Sequence, residues 1–306
     1  MRRLLALIVL LLILIGSTAA AESWQPLPLG GPAPYGPVEG ALSEDGLSYD
    51  DGTLSVRIEK DFLNDTNVYY IYVTITDPSQ LRTAVAGNPS GKTTRRATLM
   101  AEENNAVLAF NGDFYSYNSK SPGIVYRSGE RIRYNPTANY DQLFIDSDAN
   151  LTPIAWPTDL KRGFASYAQE RFDAYLADHE LREAFCFGPA LIVDGEVQTF
   201  KYTEKNSCGY PTADQRLVFC QLDTLSYLFI ACEGENQLGK QRGLSVPEMT
   251  ELCLQKGAVQ AYNMDGGNST SIILCGMRIN GYNEVKSSVK EREIKDIIYF
   301  ATLRGE

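Results

Sequence analysis

The chain has 306 residues, with 28 Lys and Arg against 38 Asp and Glu, a formal net charge of −10. That balance argues against nucleic acid and anionic membranes as partners, although one local Arg can still dominate a site for a phosphate-bearing substrate. With 44% hydrophobic and 22% charged residues, the composition is that of an ordinary globular protein, long enough for one large domain or two small ones.

Residues 1–21 read as an export signal. Arg2 and Arg3 form a basic start, Leu4 to Ile15 an unbroken apolar run, and Ala19-Ala20-Ala21 an A-x-A cleavage pattern. The apolar run is short of the ~20 residues that span a bilayer, so cleavage is expected, with an uncleaved signal anchor as the alternative. No Cys stands near the cleavage site, and no later stretch is apolar enough to span. The expected product is secreted or extracytoplasmic in the cell envelope, without a transmembrane span. Residues 22–40, with P-L-P-L-G-G-P-A-P-Y-G-P, read as an extended Pro/Gly-rich linker outside the core, and residues 41–306 as the domain.

Within the domain, Asn67 to Thr76 is β-branched and aromatic and predicts a strand. Thr93 or Thr94 is placed to cap a helix running to about Asn104, followed by a short apolar strand from Ala106 to Asn111. Leu143 to Asp146 reads as a strand, and Tyr167 to Phe185 as helical in part. Leu217 to Cys220 and Tyr227 to Cys232 read as strands joined by a hairpin at Asp223-Thr224-Leu225-Ser226. The clearest helix is Val246 to Lys256, where Ser245 and Glu248 form a capping box, Pro247 sits in the first turn and Gly257 ends it. Strands follow at Ala258 to Met264 and Ser271 to Leu274. Strands outnumber helices in irregular order, which predicts an α+β fold with a mixed β-sheet core and a few packed helices.

One pattern occurs twice. Ala106-Val107-Leu108-Ala109-Phe110-Asn111-Gly112-Asp113 and Ala258-Val259-Gln260-Ala261-Tyr262-Asn263-Met264-Asp265 both read A-V-x-A-aromatic-N-x-D, each after a predicted helix. This predicts an internal helix–strand pseudo-repeat whose strands end in polar groups. If the two units pack side by side, two carboxylates and two amides converge. The competing reading is turn chemistry, because Asn-Gly and Asp-Gly are strong turn formers. In the second copy, Asp265-Gly266-Gly267-Asn268-Ser269-Thr270 offers two glycines for close backbone approach, N–H groups for an anion nest and two hydroxyls.

Six cysteines, Cys186, Cys208, Cys220, Cys232, Cys253 and Cys275, lack C-x-x-C spacing. One or two bridges at most are expected, with Cys186–Cys208 favoured. The others in apolar runs read as buried thiols. His179, the only His, stands in a polar stretch and matches no motif, which disfavours Ser-His-Asp and Cys-His mechanisms.

Taken together, the motifs resemble the phosphodiester glycosidase family over roughly residues 65–302. The resemblance is carried by Ala109-Phe110-Asn111-Gly112-Asp113-Phe114-Tyr115, by Phe187-Gly188-Pro189-Ala190-Leu191 with Asp194-Gly195, by Arg216 opening a strand, and by Gly243-Leu244-Ser245 through Asn263-Met264-Asp265-Gly266-Gly267. Gln215 replaces the family's Pro, Leu217-Val218-Phe219-Cys220 its Thr-Ala-Ile-Gly, and Asn268 its third Gly. The resemblance implies hydrolysis of a sugar-1-phosphodiester at the glycosidic bond, giving free sugar and a phosphate monoester. Asp113 and Asp265 are then the candidate catalytic carboxylates and Arg216 the candidate phosphate clamp. Asn111, Gly112, Gly188, Pro189, Asn263, Gly266, Gly267, Asn268, Ser269 and Thr270 are the candidate substrate contacts. A divalent cation, Ca²⁺ or Mg²⁺, between the carboxylates is left open, because oxygen ligands suit either ion. The alternative is a non-catalytic exported protein on the same fold that binds polysaccharide or sugar phosphate.

Overall fold

The computed structural model describes residues 24–113, 121–157, 160, 163–199, 211–235, 240–281, 283–285 and 288–305. The expected signal segment, Phe114, Tyr115 and Cys208 lie outside them, so the Cys186–Cys208 pairing is not described.

Among the described residues, three large antiparallel sheets, each with one helix on its outer face, and two two-stranded ribbons form an α+β fold. The largest has eight strands in the order Ser48–Asp50, Leu54–Leu63, Thr66–Ile75, Ser226–Cys232, Arg216–Asp223, Gln260–Asn263, Ala190–Val193, Glu196–Val197. The second has five: Met277–Arg278, Ile272–Leu274, Leu108–Asn111, Asp296–Phe300, Leu81–Val85. The third also has five: Leu151–Ile154, Gln142–Asp146, Leu181–Cys186, Gly123–Arg127, Glu130–Asn135.

Strand alternation explains how the layers are assigned. On Arg216–Asp223, Leu217 and Phe219 face the central core, while Val218 and Cys220 face helix α3, Val246–Gln255, with its Met249 and Cys253. In the second sheet, Phe110, Ile298 and Phe300 point into the central core. Ala109, Ile297 and Tyr299 point outward to Ala97, Met100 and Ala101 of helix α1, Ala97–Glu103. In the third sheet, Leu143, Ile145 and Phe185 face the core, while Phe144 and Ala184 meet Ala168, Phe172 and Tyr175 of helix α2, Phe164–Asp178. Phe110 and Phe219 each stack on Phe229, with ring centroids 3.8 and 4.1 Å away, which locks the second sheet to the first. Such pairs add about 0.5–1.5 kcal/mol each beyond their buried area.

The capping box of α3 is present, with Ser245 accepting from the Glu248 amide and Glu248 accepting from Ser245, and Gly257 beyond it has φ +80°. The expected start of α1 at Thr93 or Thr94 is corrected. Arg95–Arg96 pairs with Glu293–Ile294 as a short strand, so the helix begins only at Ala97, without a side-chain cap. The stretch from Tyr167 to Phe185 divides, because α2 ends at Asp178 and the chain turns at His179 into the strand Leu181–Cys186.

The segment expected as a linker outside the core has no helix or strand but is fastened to the body. Leu27 and Ala33 are buried with α1 and the outer face of the second sheet. The Leu27 amide donates to Ser79 Oγ at 2.8 Å, Asn105 Nδ2 donates to Ala33 O at 2.7 Å, and Arg82 donates to the carbonyls of Gly30 and Gly31. Leu27 and Ala33 do the anchoring, while Leu29 between them is exposed and the backbone bends at Gly30 and Gly31, which have φ +75° and +68°.

Candidate active site

The two strands of the repeated motif belong to different sheets. They face one another across the central core, with Phe110 and Tyr262 both turned into it. The side-by-side arrangement considered from the sequence is thus replaced by a face-to-face one. The strand ends nevertheless meet. Asn111 Nδ2 donates to the Asp265 carbonyl at 2.7 Å, and Asn111 Oδ1 accepts from the Ser271 amide at 3.1 Å. Asn111 is a lock between the copies, with both ends of its amide engaged by main chain.

Asn263 is used differently. Its Nδ2 donates to Gly188 O at 2.7 Å, and its backbone exchanges bonds with Gly188 N and Pro189 O, so the Phe187-Gly188-Pro189 block lies against this strand end. The Gly188–Pro189 peptide is cis. Asn263 Oδ1 is buried without a hydrogen-bond partner. Because Gly188 O requires a donor, the amide orientation is fixed and the remaining atom is an acceptor.

Asp113 follows Asn111 and is buried. Its amide donates to Asp296 Oδ1 at 2.8 Å, and its Oδ2 accepts from the Cys186 amide at 3.0 Å and from Arg127 Nη2 at 3.3 Å. Arg127, at the end of Gly123–Arg127, also donates through Nε to Asp296 Oδ2 at 2.8 Å and through Nη1 to Ala184 O at 2.6 Å. Burial and the Asp296 charge raise the Asp113 carboxyl to about 6, against the pull of Arg127, Arg133 and the Cys186 amide.

Asp265 lies at the matching place in the second copy and is only partly buried. Desolvation, and to a lesser degree the Asp113 charge, raise its carboxyl to about 7, while Ser269, Arg292 and the Gly266 amide oppose that rise. The two acids are thus close enough for each ionisation to be felt by the other. Arg292, exposed and near Asp265, and Arg127 and Asp296, buried behind Asp113, were not found from the sequence. A signal was present for two of them: Arg127 and Asp296 are charges abutting apolar strand runs, I-V-Y and I-I-Y-F.

The glycine loop departs from its expected use. The Gly266 amide donates to Asp265 Oδ1, Gly267 N to Gln215 O, Ser269 N to Gly266 O and Thr270 N to Gly267 O. These four N–H groups are engaged within the protein, in part by a 3-10 turn at Gly267–Ser269, so they do not form an open anion nest. A Cβ on Gly266 would lie 2.6 Å from Gln215 O, so this glycine permits close approach to a neighbouring strand of the same chain. Asn268 is partly exposed and Ser269 buried in this turn, and Thr270 Oγ1 is buried without a hydrogen-bond partner.

Arg216 opens Arg216–Asp223 as expected, but it is buried. Its Nε donates to Leu244 O at 3.2 Å and its Nη2 to Thr212 O at 2.8 Å. Among the described residues, no group of three or more His, Cys, Asp or Glu is arranged to hold a metal ion, and no helix is long and apolar enough to cross a membrane.

The phosphodiester glycosidase family model matches residues 104–301. No curated protein sequence matches the chain. Among solved structures, the chain is similar to the catalytic domain of zebrafish N-acetylglucosamine-1-phosphodiester alpha-N-acetylglucosaminidase, auto-inhibited by pro-peptide. The TM-score is 0.63 and the identity 15%, covering 83% of this chain and 85% of that one. It is also similar to a hypothetical protein from Synechocystis, with a TM-score of 0.51 and 16% identity, covering 81% of this chain and 62% of that one. These structural likenesses show a shared fold. The family match spans well over half of the sequence and takes in both copies of the motif and the strand that carries Asp296. The chain belongs to the phosphodiester glycosidase family.

Proposed function

We propose that this protein is an exported hydrolase that cleaves a sugar-1-phosphodiester at the glycosidic bond. The supporting observation is the pair Asp113 and Asp265, two carboxyls at one junction held in different environments. Asp113 lies against a guanidinium and a main-chain amide, which favour its anion. Asp265 is raised to about 7, so a substantial share of it carries a proton at neutral pH. Acid and base roles separate when neighbouring carboxyls are treated differently by their surroundings.

In this reading Asp265 is the acid and Asp113 the base. Asp265 gives its proton to the bridging oxygen as the bond from the anomeric carbon breaks, and the bonding pair stays on that oxygen, which leaves with the phosphate. Water adds its oxygen to the anomeric carbon and passes a proton to Asp113. The products are free sugar and a phosphate monoester. Asn263 Oδ1, as the unengaged acceptor, suits a sugar hydroxyl and not a phosphate oxygen. Arg292 is the better cation for the phosphate, since two donors of Arg216 are held by main-chain carbonyls. Arg216 then holds the chain around Thr212 and Leu244 in place. Gly112, Gly188, Pro189, Gly266 and Gly267 shape the walls, and Asn268, Ser269 and Thr270 offer side-chain contacts.

The test is to incubate the purified protein with diesters of several sugar-1-phosphates and assay free sugar. Turnover that falls at least a hundredfold in Asp113→Asn and Asp265→Asn supports the reading, the scale being that of lost acid–base catalysis. Binding without turnover of any diester sinks it in favour of a carbohydrate-binding role.

A further inference from the structure

The group behind Asp113 is built of buried charged side chains. Arg127 carries one positive charge and contacts two buried carboxylates, Asp113 and Asp296. A third, Glu183 from Leu181–Cys186, is also buried and feels the Arg127 charge. Its own bonds come from Thr83 Oγ1 at 2.8 Å and from the Ser128 amide. Arg133, from Glu130–Asn135, faces Asp113 from the same sheet, and Asp265 faces it from the second copy of the motif. Arg182 beside Glu183, Arg292 beside Asp265 and Lys295 beside Asp296 complete the set of charges. Buried ion pairs often contribute no more than apolar residues of the same volume, so stability alone does not account for this cluster.

The geometry has a direction, however. Asp296 holds Arg127 through Oδ2 and the Asp113 main chain through Oδ1, and its own carbonyl accepts from the Gly112 amide at 2.9 Å. One side chain thus fixes both the backbone that carries Asp113 and the cation that touches its carboxylate. Arg127 is in turn aimed by Ala184 O and Tyr126 O, and its guanidinium lies 4.1 Å from the centroid of the Phe185 ring. Ala184, Phe185 and Cys186 are consecutive, and the Cys186 amide is the other donor to Asp113 Oδ2. Two neighbouring strands of the third sheet therefore converge on one carboxylate oxygen, while Asp296 of the second sheet holds the Asp113 amide.

We propose that Arg127 and Asp296 are positioning residues for Asp113, Arg127 by holding its carboxylate as the anion and Asp296 by fixing both Arg127 and the Asp113 backbone while limiting how far Arg127 can stabilise that anion. This rests on the reading in which Asp113 acts at the glycosidic centre. The two residues have opposite electrostatic signs at Asp113, and that distinguishes them from a merely structural pair. Removing Arg127 leaves Asp113 beside Asp296 without its cation and makes it harder to ionise. Removing the Asp296 charge leaves Arg127 with Asp113 as its one contacting carboxylate, Glu183 lying farther off, and makes Asp113 easier to ionise. Charges at such separations shift a carboxyl by about 1–3 pH units.

The experiment compares wild type with Arg127→Gln, Arg127→Lys and Asp296→Asn by two readouts. One is the acid limb of the pH profile of kcat/KM. The other is the pH titration of the Asp113 carboxyl ¹³C resonance, assigned by its absence in Asp113→Asn. The expected result is that midpoints move up in Arg127→Gln and down in Asp296→Asn, by about one pH unit or more each. Arg127→Lys lies between wild type and Arg127→Gln, and kcat falls more than KM rises in all three. Asp296→Asn keeps the shape but forfeits one accepted hydrogen bond, so it remains informative if Arg127→Gln does not fold. Midpoints unchanged, or displaced in the same direction by Arg127→Gln and Asp296→Asn, overturn the proposal. If the wild type turns over no diester, the proposed reaction fails on that ground, and the carboxyl titration still decides whether Arg127 and Asp296 set the charge of Asp113.

Discussion

Asp296 sits over Gly112. A Cβ added to Gly112 would fall 2.6 Å from Asp296 Oδ1 and 2.7 Å from its Cγ. The same Oδ1 accepts the Asp113 amide at 2.8 Å. The middle residue of Asn111-Gly112-Asp113 is therefore glycine for a steric reason, which is distinct from the turn-forming reason that the sequence suggests.

Gly112→Ala is expected to push the Asp296 carboxylate off Asp113 and Arg127. Overpacking of this kind costs about 1–3 kcal/mol. Urea unfolding and turnover assayed side by side should show a loss of activity larger than the loss of folded protein explains. Activity that falls only in step with stability contradicts this.

The raised carboxyls give stability a definite pH dependence. Asp113 and Asp141 are pushed up to about 6, and Glu183 and Asp265 to about 7, chiefly by burial. In the unfolded chain these groups ionise near 4, so between about pH 4 and 7 the folded state binds more protons. Their contribution is present below the unfolded values and is lost as pH rises through the folded ones. The urea midpoint is expected to be lower at pH 8 than at pH 5, and Glu183→Gln to reduce the difference. A midpoint that rises over this interval is the contrary result.

Turnover should have its own window. Protonation of Asp113 near 6 closes it on the acid side, and ionisation of Asp265 near 7 closes it on the alkaline side. The profile of kcat/KM is expected to be a narrow bell. Asp265→Asn should abolish the alkaline limb in whatever activity remains, and a persisting alkaline limb assigns the acid elsewhere.

The segment before the domain core also carries a prediction. Leu27 is buried beside Trp24, Ala33 and α1. Leu27→Ala is expected to lower stability by about 2 kcal/mol or more, as buried Leu truncations do. A change within about 0.5 kcal/mol, typical of surface positions, would restore the linker reading.

Much of this was legible in local sequence. The capping box at Ser245 and Glu248 and the β-branched and aromatic run of Asn67 to Thr76 are short-range signals, and the structure has a capped helix at Val246–Gln255 and a strand at Thr66–Ile75. The two Asn-x-Asp ends were visible as a repeat. Long-range pairing was not. Nothing local says that Leu108–Asn111 pairs with Asp296–Phe300 almost 200 residues later, and that register brings Asp296 to Gly112. Arg127 was missed for the same reason, since its meaning comes from carboxylates on other strands. Leu27 was missed because Pro and Gly around it signal an extended chain but do not say whether that chain lies in water or against a sheet.

The central claim is that the bond to the anomeric carbon is the one that breaks. The direct measurement is turnover of a sugar-1-phosphodiester in water enriched in ¹⁸O, followed by mass spectrometry of the phosphate monoester. Cleavage at the glycosidic bond predicts a phosphate monoester without ¹⁸O, the label entering the sugar. Incorporation of ¹⁸O into the phosphate monoester would show attack at phosphorus and contradict the account.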